Sequence, residues 1–196
     1  KNQAFELAVI LKRSDFNNSG IYAVFGDLYY ATGNKTQAKK NYKKSLSIDQ
    51  NLQAVWTQVL FLEVEDANYD SLLLYSENAL SYFPNEPLYY YFYGVSHSFF
   101  KEFDKSKEAL ESGIEFIFDN PSLYSEFQSS LADTYHSLEL FSKSDSLYEQ
   151  ILLQNPNNII VLNNYSYYLS LRKHELERAK EMSRRCNDLE PNNGTY

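Results

Sequence analysis

The chain has 196 residues, is 43% hydrophobic, and carries 26 acidic against 18 basic side chains, a formal net charge of −8. Because an acidic surface repels phosphate and anionic lipid, this balance argues against a general role in binding nucleic acid or membrane surfaces. The single cysteine, Cys186, excludes an intramolecular disulfide and a cysteine-based zinc site. No apolar run in the sequence approaches the roughly 18 residues of a membrane span.

Small and aromatic residues recur along the chain with a period of about 34 residues. In the first copy the pattern consists of Tyr22, Phe25, Gly26, Tyr29, Ala38, Tyr42 and Ser45. Equivalent patterns begin at Trp56, Tyr90, Gln128 and Leu162. A fixed period of this length indicates a repeat architecture, in which stacked copies share one continuous core.

The pattern resembles the tetratricopeptide repeat, whose signature is W-x2-L-G-x2-Y, then A-x3-F, then P. The resemblance implies an all-α fold, a right-handed superhelical solenoid of stacked antiparallel helix hairpins. A small residue late in the first helix, such as Gly26, lets the second helix approach closely, and large residues fill the remaining gaps. The second copy departs from this pattern, since Leu60 and Leu72 are large and Ser76 is small. Either these sizes compensate one another or the stack is locally distorted.

Each copy is predicted to form two amphipathic helices, with Gly33 ending the first of them and Pro84 and Pro87 separating the second copy from the third. The third copy is longer than its neighbours, and the excess falls around residues 116–121. We therefore predict that 1–196 is a single fragment of a longer array. Its parts are an orphan second helix of a truncated repeat (1–18), five repeats (19–52, 53–86, 87–124, 125–158 and 159–191) and the start of a missing repeat (192–196).

Residues that commonly carry catalysis or bind metals are scattered along the sequence. His97, His136 and His174 fall in different copies without a carboxylate or cysteine at ligand spacing, so they are predicted to be packed or solvated. Cys186 takes a packing position in a second helix. No phosphate-binding loop or nucleophile motif occurs in the sequence. The prediction is a protein that is not an enzyme, with no metal and no cofactor.

One dense basic cluster lies on the second helix of the first copy: Lys35, Lys39, Lys40, Lys43 and Lys44. Charged runs on a helix usually form a solvated face. A solvated, outward-facing surface is therefore predicted for these lysines, with an anion-binding site as the alternative.

The family resemblance also implies a function, since the first helices of such repeats line a concave face that binds peptides or partner helices. The positions that correspond to this face give the following candidate partner-binding residues: Asp27, Tyr30, Phe61, Glu65, Tyr91, Phe99, Asp133, Asn163 and Tyr167. The candidate surface is aromatic in the middle and acidic towards both ends, which favours an apolar peptide with basic flanks. The alternative for each aromatic residue is packing between neighbouring first helices.

The predicted function is a non-catalytic scaffold for another protein. None of the candidate positions is Lys or Arg, so the carboxylate clamp of chaperone-binding family members is not expected. The alternative is a regulatory or substrate-presenting arm of a larger enzyme whose catalytic domain lies outside this fragment. A nucleic-acid-binding helical repeat is disfavoured by the acidic charge. The segment Leu162–Leu169 is similar to a sequence motif common in bacterial tetratricopeptide proteins. The resemblance leads us to expect a bacterial envelope lipoprotein, with the cytoplasm as the alternative location.

Overall fold

The computed structural model describes residues 9–10 and 17–191. Within these residues the structure has ten helices and no strand, which confirms the predicted all-α composition. The predicted start of a further repeat (192–196) and most of the predicted leading helix (1–18) lie outside the described residues. The helices are α1 (Ser19–Ala31), α2 (Lys35–Leu46), α3 (Gln53–Glu65), α4 (Tyr69–Tyr82), α5 (Pro87–Phe99), α6 (Phe103–Ile114), α7 (Pro121–Ser137), α8 (Phe141–Gln154), α9 (Ile159–Leu171) and α10 (Leu176–Leu189).

Asparagine is the N-cap residue of five of these ten helices. Each of these asparagine side chains accepts a hydrogen bond from the backbone N–H three residues later: Asn18, Asn34, Asn68, Asn120 and Asn158. A helix leaves its first N–H groups without an intrahelical partner, and a side-chain oxygen at the cap satisfies one of them. Pro87 and Pro121 stand at the first positions of α5 and α7, where the missing N–H costs nothing. Local chemistry therefore sets where many of the helices start.

The turn inside each helix pair has a residue with a left-handed backbone at an equivalent place, and the last turn has a second one at Glu175. Gly33 has φ 81° in the first turn, and the equivalent residues of the later turns are Ala67, Lys101, Glu139 and Lys173, with φ between 50° and 61°. In each turn this residue donates its N–H to the carbonyl three residues earlier, and the next residue donates to the carbonyl five residues earlier. These bonds close the end of the helix in the manner of a Schellman motif. Only the first of the five turns uses glycine, the residue that favours this conformation.

The chain divides into two compact units, Lys1–Ser96 and His97–Tyr196, and α5 begins in the first and ends in the second. In the first unit, Gly26 of α1 faces the buried ring of Tyr42 in α2, and a Cβ at Gly26 would lie 2.3 Å from the Tyr42 ring. Leu60 and Leu72 are fully buried, and the buried Ser76 hydroxyl donates to the Leu72 carbonyl at 2.7 Å. The helices α3 and α4 are continuous through these residues.

In the second unit the core lies between α7, α8, α9 and α10. Ala132 of α7 and Tyr148 of α8 occupy the places that Gly26 and Tyr42 hold in the first unit, and both are fully buried. Cys186 of α10 is also fully buried, which confirms its predicted packing role. In the part of the chain that the structure describes, no helix is both long enough and apolar enough to cross a membrane.

Candidate partner-binding surface

Three aromatic candidates lie in the first unit, on helices α1, α3 and α5. Tyr30 and Phe61 are exposed to solvent, and the Phe61 ring meets the edge of the buried Phe92 ring, with centroids 5.4 Å apart. Tyr91 is half-buried, packs against the core and contacts Phe92 at 5.8 Å. Tyr30 and Phe61 therefore offer surface to a partner, whereas much of Tyr91 is used in packing, as the alternative reading of the aromatics foresaw.

The acidic candidates of the first unit are engaged within the protein. Asp27 accepts a hydrogen bond from the Tyr42 hydroxyl at 2.7 Å, and Glu65 forms an ion pair with Lys35 at 2.9 Å. Burial and the Asp27 carboxylate together raise the pKa of Tyr42, so its hydroxyl stays protonated and keeps donating. The charge of Glu65 is thus balanced by Lys35, whereas Asp27 keeps its charge and serves as the acceptor for a buried hydroxyl.

The basic cluster of α2 is solvated only in part: Lys35, Lys40 and Lys44 are exposed as predicted, whereas Lys39 and Lys43 turn towards the next helix pair. Glu63 of α3 is fully buried, and its two oxygens lie 2.9 Å from Lys39 Nζ and 2.6 Å from Lys43 Nζ. Lys39 also pairs with Asp66, and Lys43 lies 4.4 Å from the centroid of the Tyr75 ring. A carboxylate without solvent needs such partners, because an unpaired buried charge is strongly unfavourable. Lys39 and Lys43 therefore connect two consecutive helix pairs, and the prediction of a solvated face was wrong for these two.

In the second unit the exposed side of α9 carries an apolar stripe. Ile160, Tyr167 and Leu171 are exposed by 65%, 57% and 57%. Their spacings of seven and eleven residues place them within about 40° of one another around the helix. The sequence prediction included Tyr167 but missed Ile160, which the same helical spacing would have identified. We define these three residues as the α9 stripe.

A hydrogen-bonded network beside the α9 stripe joins α7 to α9. The amide of Asn164 donates to both oxygens of Asp133 at 3.4 Å and 3.3 Å, and the Tyr148 hydroxyl donates to the same carboxylate. Burial raises the pKa of the Asp133 carboxyl, and the hydrogen bonds from Tyr148, Tyr168 and Asn164 oppose that rise. His136 stacks on Tyr168 with ring centroids 3.8 Å apart. Asp133 thus helps to hold the two helices together.

The two remaining candidates, Phe99 and Asn163, and two of the histidines lie outside the stripe and the network described above. Phe99 is exposed and contacts the Phe100 ring at 5.3 Å, while Asn163 is half-buried beside Asn164. His97 is buried, with Nδ1 2.6 Å from Glu102 Oε2, and His174 lies in the exposed turn before α10. Among the described residues, no group of three or more His, Cys, Asp or Glu side chains is arranged to hold a metal ion.

Comparison with known proteins identifies the repeat. Residues 19–52 match the family model of the tetratricopeptide repeat. Similar solved structures include MamA from Desulfovibrio magneticus RS-1, with 15% identity over 90% of this chain and 97% of that chain and a TM-score of 0.74. YrrB, described as a TPR protein with an unusual peptide-binding site, has 15% identity over 94% and 93% and a TM-score of 0.73. PilF from Pseudomonas aeruginosa has 15% identity over 98% and 85% and a TM-score of 0.71. No curated protein sequence matches the chain significantly.

Residues 19–52 thus match one tetratricopeptide repeat, and the chain shares its fold with solved structures that include YrrB, described as a TPR protein. The predicted all-α fold class of stacked helix hairpins is confirmed, with no strand in residues 9–10 and 17–191. Proteins built from these repeats generally mediate contacts between proteins.

Proposed function

We propose that this protein is a non-catalytic scaffold that binds an apolar segment of another protein on the exposed side of its first repeat helices. The α9 stripe is the observation that supports this most directly. A stripe of three large apolar side chains along one face of a helix matches the spacing with which a partner helix or an extended peptide places its own anchors. YrrB, which has the same fold, is described as having a peptide-binding site.

The chemistry of the surface favours an apolar partner more than a basic one. Asp133 is bonded to Tyr148 and Asn164, Asp27 to Tyr42, and Glu65 pairs with Lys35, so three candidate carboxylates already have partners within the protein. Aromatic anchors that become fully buried commonly dominate the affinity of an interface. Tyr167 and Phe61 are therefore the candidates that we expect to bind the partner, with basic flanks of the partner contributing less than the sequence suggested.

A display library of random peptides about 15 residues long tests this proposal, since apolar recognition surfaces commonly bind short linear segments. We expect the selected peptides to be rich in aromatic and aliphatic residues. A photo-crosslinking amino acid placed at position 167 should capture them. The same amino acid at Leu153, a residue of α8 that is 81% exposed, is the matched control and should not.

Affinity measurements on the selected peptides complete the test. Truncation of an aromatic anchor commonly costs about 2 kcal/mol or more, so Tyr167→Ala should weaken binding by about 30-fold. Leu153→Ala should leave binding unchanged. Equal affinities for wild type and Tyr167→Ala, or crosslinks formed mainly from position 153, would show that the partner binds elsewhere.

A further inference from the structure

The loop between α6 and α7 presents an aromatic side chain to solvent. Phe118 is 96% exposed, the largest fraction among the large apolar side chains that the structure describes. Hydrogen bonds fix both sides of the loop: the Phe116 N–H donates to the Gly113 carbonyl at 3.1 Å, and the Asn120 side chain caps α7. An ordered, isolated ring of this kind is a typical anchor for a protein interface. We call this ring with its acidic neighbours Glu115 and Asp119 the Phe118 loop.

A cleft of about 500 Å³ lies at the start of α8. It is lined by Phe141, Ser142, Asp145, Arg172 and His174. The Arg172 guanidinium lies 4.8 Å from the centroid of the Phe141 ring and holds the two Asp145 oxygens at 2.6 Å and 3.1 Å. An aromatic ring and a guanidinium plane are both favourable surfaces against which a second aromatic ring can stack. We call this the Phe141 cleft.

The electrostatic character of the loop and of the cleft is complementary. Glu115 and Asp119 are exposed beside Phe118. Around the cleft, Lys143 and Lys173 are exposed against one exposed carboxylate in the turn before α8, that of Glu139, and the start of α8 adds the partial positive charge of a helix N-terminus. Glu175, the acidic residue of the same turn, is paired with Arg178 at 3.1 Å. Opposite charges around an aromatic contact favour the correct orientation of the two surfaces.

The loop cannot reach the cleft of its own molecule. The Phe118 loop precedes α7 and the Phe141 cleft follows it, so the two features lie at opposite ends of this helix. A helix of 17 residues is about 25 Å long. We propose that Phe118 of one copy inserts into the Phe141 cleft of a second copy, so that the protein self-associates through a surface distinct from the α9 stripe. The contact is heterologous, since the loop of one molecule meets the cleft of the other.

Two variants separate the halves of this contact. Phe118→Ser removes the anchor from an exposed loop. Ser142→Glu places negative charge in the cleft at an exposed position in the first turn of α8, where a carboxylate favours helix formation. Leu153→Ser is the control, because it removes a side chain that is 81% exposed at a place outside both features. Circular dichroism spectra verify that all three variants remain folded.

Sedimentation velocity over a range of protein concentrations gives the result. We expect wild type and Leu153→Ser to self-associate, and Phe118→Ser to do so about 30-fold more weakly, the loss typical of a truncated aromatic anchor. Self-association of Ser142→Glu alone should be weakened to a similar extent. An equimolar mixture of Phe118→Ser and Ser142→Glu should form a one-to-one complex, because the first variant keeps its cleft and the second keeps its loop. A wild type that stays monomeric throughout, a Phe118→Ser variant that associates like wild type, or a mixture that forms no complex would each overturn the proposal.

Discussion

The four non-glycine residues that hold the place of Gly33 in the later turns offer a direct test of how these helix pairs are closed. Lys173 lies in the turn between α9 and α10 with φ 54°, and its side chain is exposed. Gly33 holds the equivalent place in the first turn with φ 81°. Replacing Lys173 by Gly keeps the backbone hydrogen bonds of the turn and removes a Cβ that the conformation disfavours. We predict that Lys173→Gly stabilises the protein.

The expected gain follows from two opposing effects. A side chain in the left-handed region costs roughly 1–2 kcal/mol, and glycine removes that cost. Glycine also makes the unfolded chain more flexible, which lowers stability by roughly 0.5–1 kcal/mol. The net gain in the free energy of unfolding should be about 0.5–1 kcal/mol for Lys173→Gly. The reverse change at the first turn, Gly33→Ala, should cost a similar amount, because no neighbouring atom lies within 4 Å of the added methyl group and only the backbone conformation is at issue.

Urea denaturation followed by circular dichroism measures these differences. Lys180→Gly is the matched control, since Lys180 is exposed in the interior of α10 and belongs to the same unit. There the same substitution should lower stability by roughly 0.5–1 kcal/mol, because glycine is a poor helix former. If Lys173→Gly and Lys180→Gly were destabilising to the same extent, the left-handed conformation would not be the factor that limits these turns.

Three further predictions concern the packing between helices. Gly26→Ala should cost about 1–3 kcal/mol, because the new Cβ would lie 2.3 Å from the rigid, buried Tyr42 ring; a rise in the urea midpoint would contradict this. The double variant Lys39→Met, Lys43→Met should be less stable than Glu63→Gln, because it leaves the buried Glu63 carboxylate without partners. A thermal melt in which Glu63→Gln has the lower melting temperature would refute that ordering. Burial raises the folded-state pKa of Asp133, so the native state binds the proton more tightly and this group's destabilising effect grows as the pH rises through that pKa. The stability of wild type relative to Asp133→Asn should therefore fall from pH 4 to pH 7, and parallel urea midpoints across that range would exclude the effect.

The sequence predicted the helices well because the information that defines them is local. Gly26, Ala38 and Tyr42 show the close approach of α1 and α2, and the asparagines before the helices supply caps that are visible as single residues. Of the left-handed turns only the first is recognisable, since Gly33 favours that conformation whereas Ala67 does not. The regular spacing of the repeats carried the prediction across the other turns.

The partners of the lysines were missed because they come from the next helix pair. Lys39 and Glu63 are separated by 24 residues, and periodicity within α2 does not reveal which side faces α3. A signal was nevertheless present: Lys35, Lys39 and Lys43 are spaced four apart and form one ridge of the helix. An acidic group that includes Glu63 and Asp66 lies one repeat later. A ridge of one charge followed by a cluster of the other sign is a pattern that a search for solvated faces overlooks.

Two of the acidic candidates are also paired with residues of the following helix at a fixed spacing. Asp27 contacts Tyr42 and Asp133 contacts Tyr148, and in both repeats the tyrosine follows the aspartate by fifteen residues. In each pair the carboxylate holds a hydroxyl of the second helix. These two aspartates thus occur where a tyrosine needs an acceptor, which gives them a role inside their own helix pairs.

The other repeats lack this pairing, and their equivalent positions are apolar. The residue fifteen positions after Phe61 is Ser76, and the residue fifteen positions after Tyr167 is Met182, so neither position has a tyrosine hydroxyl to satisfy. Phe61 and Tyr167 are exposed to solvent instead. We therefore expect Tyr167→Ala to weaken peptide binding with little change in the urea midpoint, because this side chain is mostly exposed; Phe61→Ala should weaken binding and also lose its contact with Phe92. Asp27→Ala and Asp133→Ala should do the reverse, lowering stability by about 1–3 kcal/mol for each buried hydroxyl left without its acceptor. If the aspartate variants lost peptide affinity at unchanged stability, the carboxylates would be partner contacts after all.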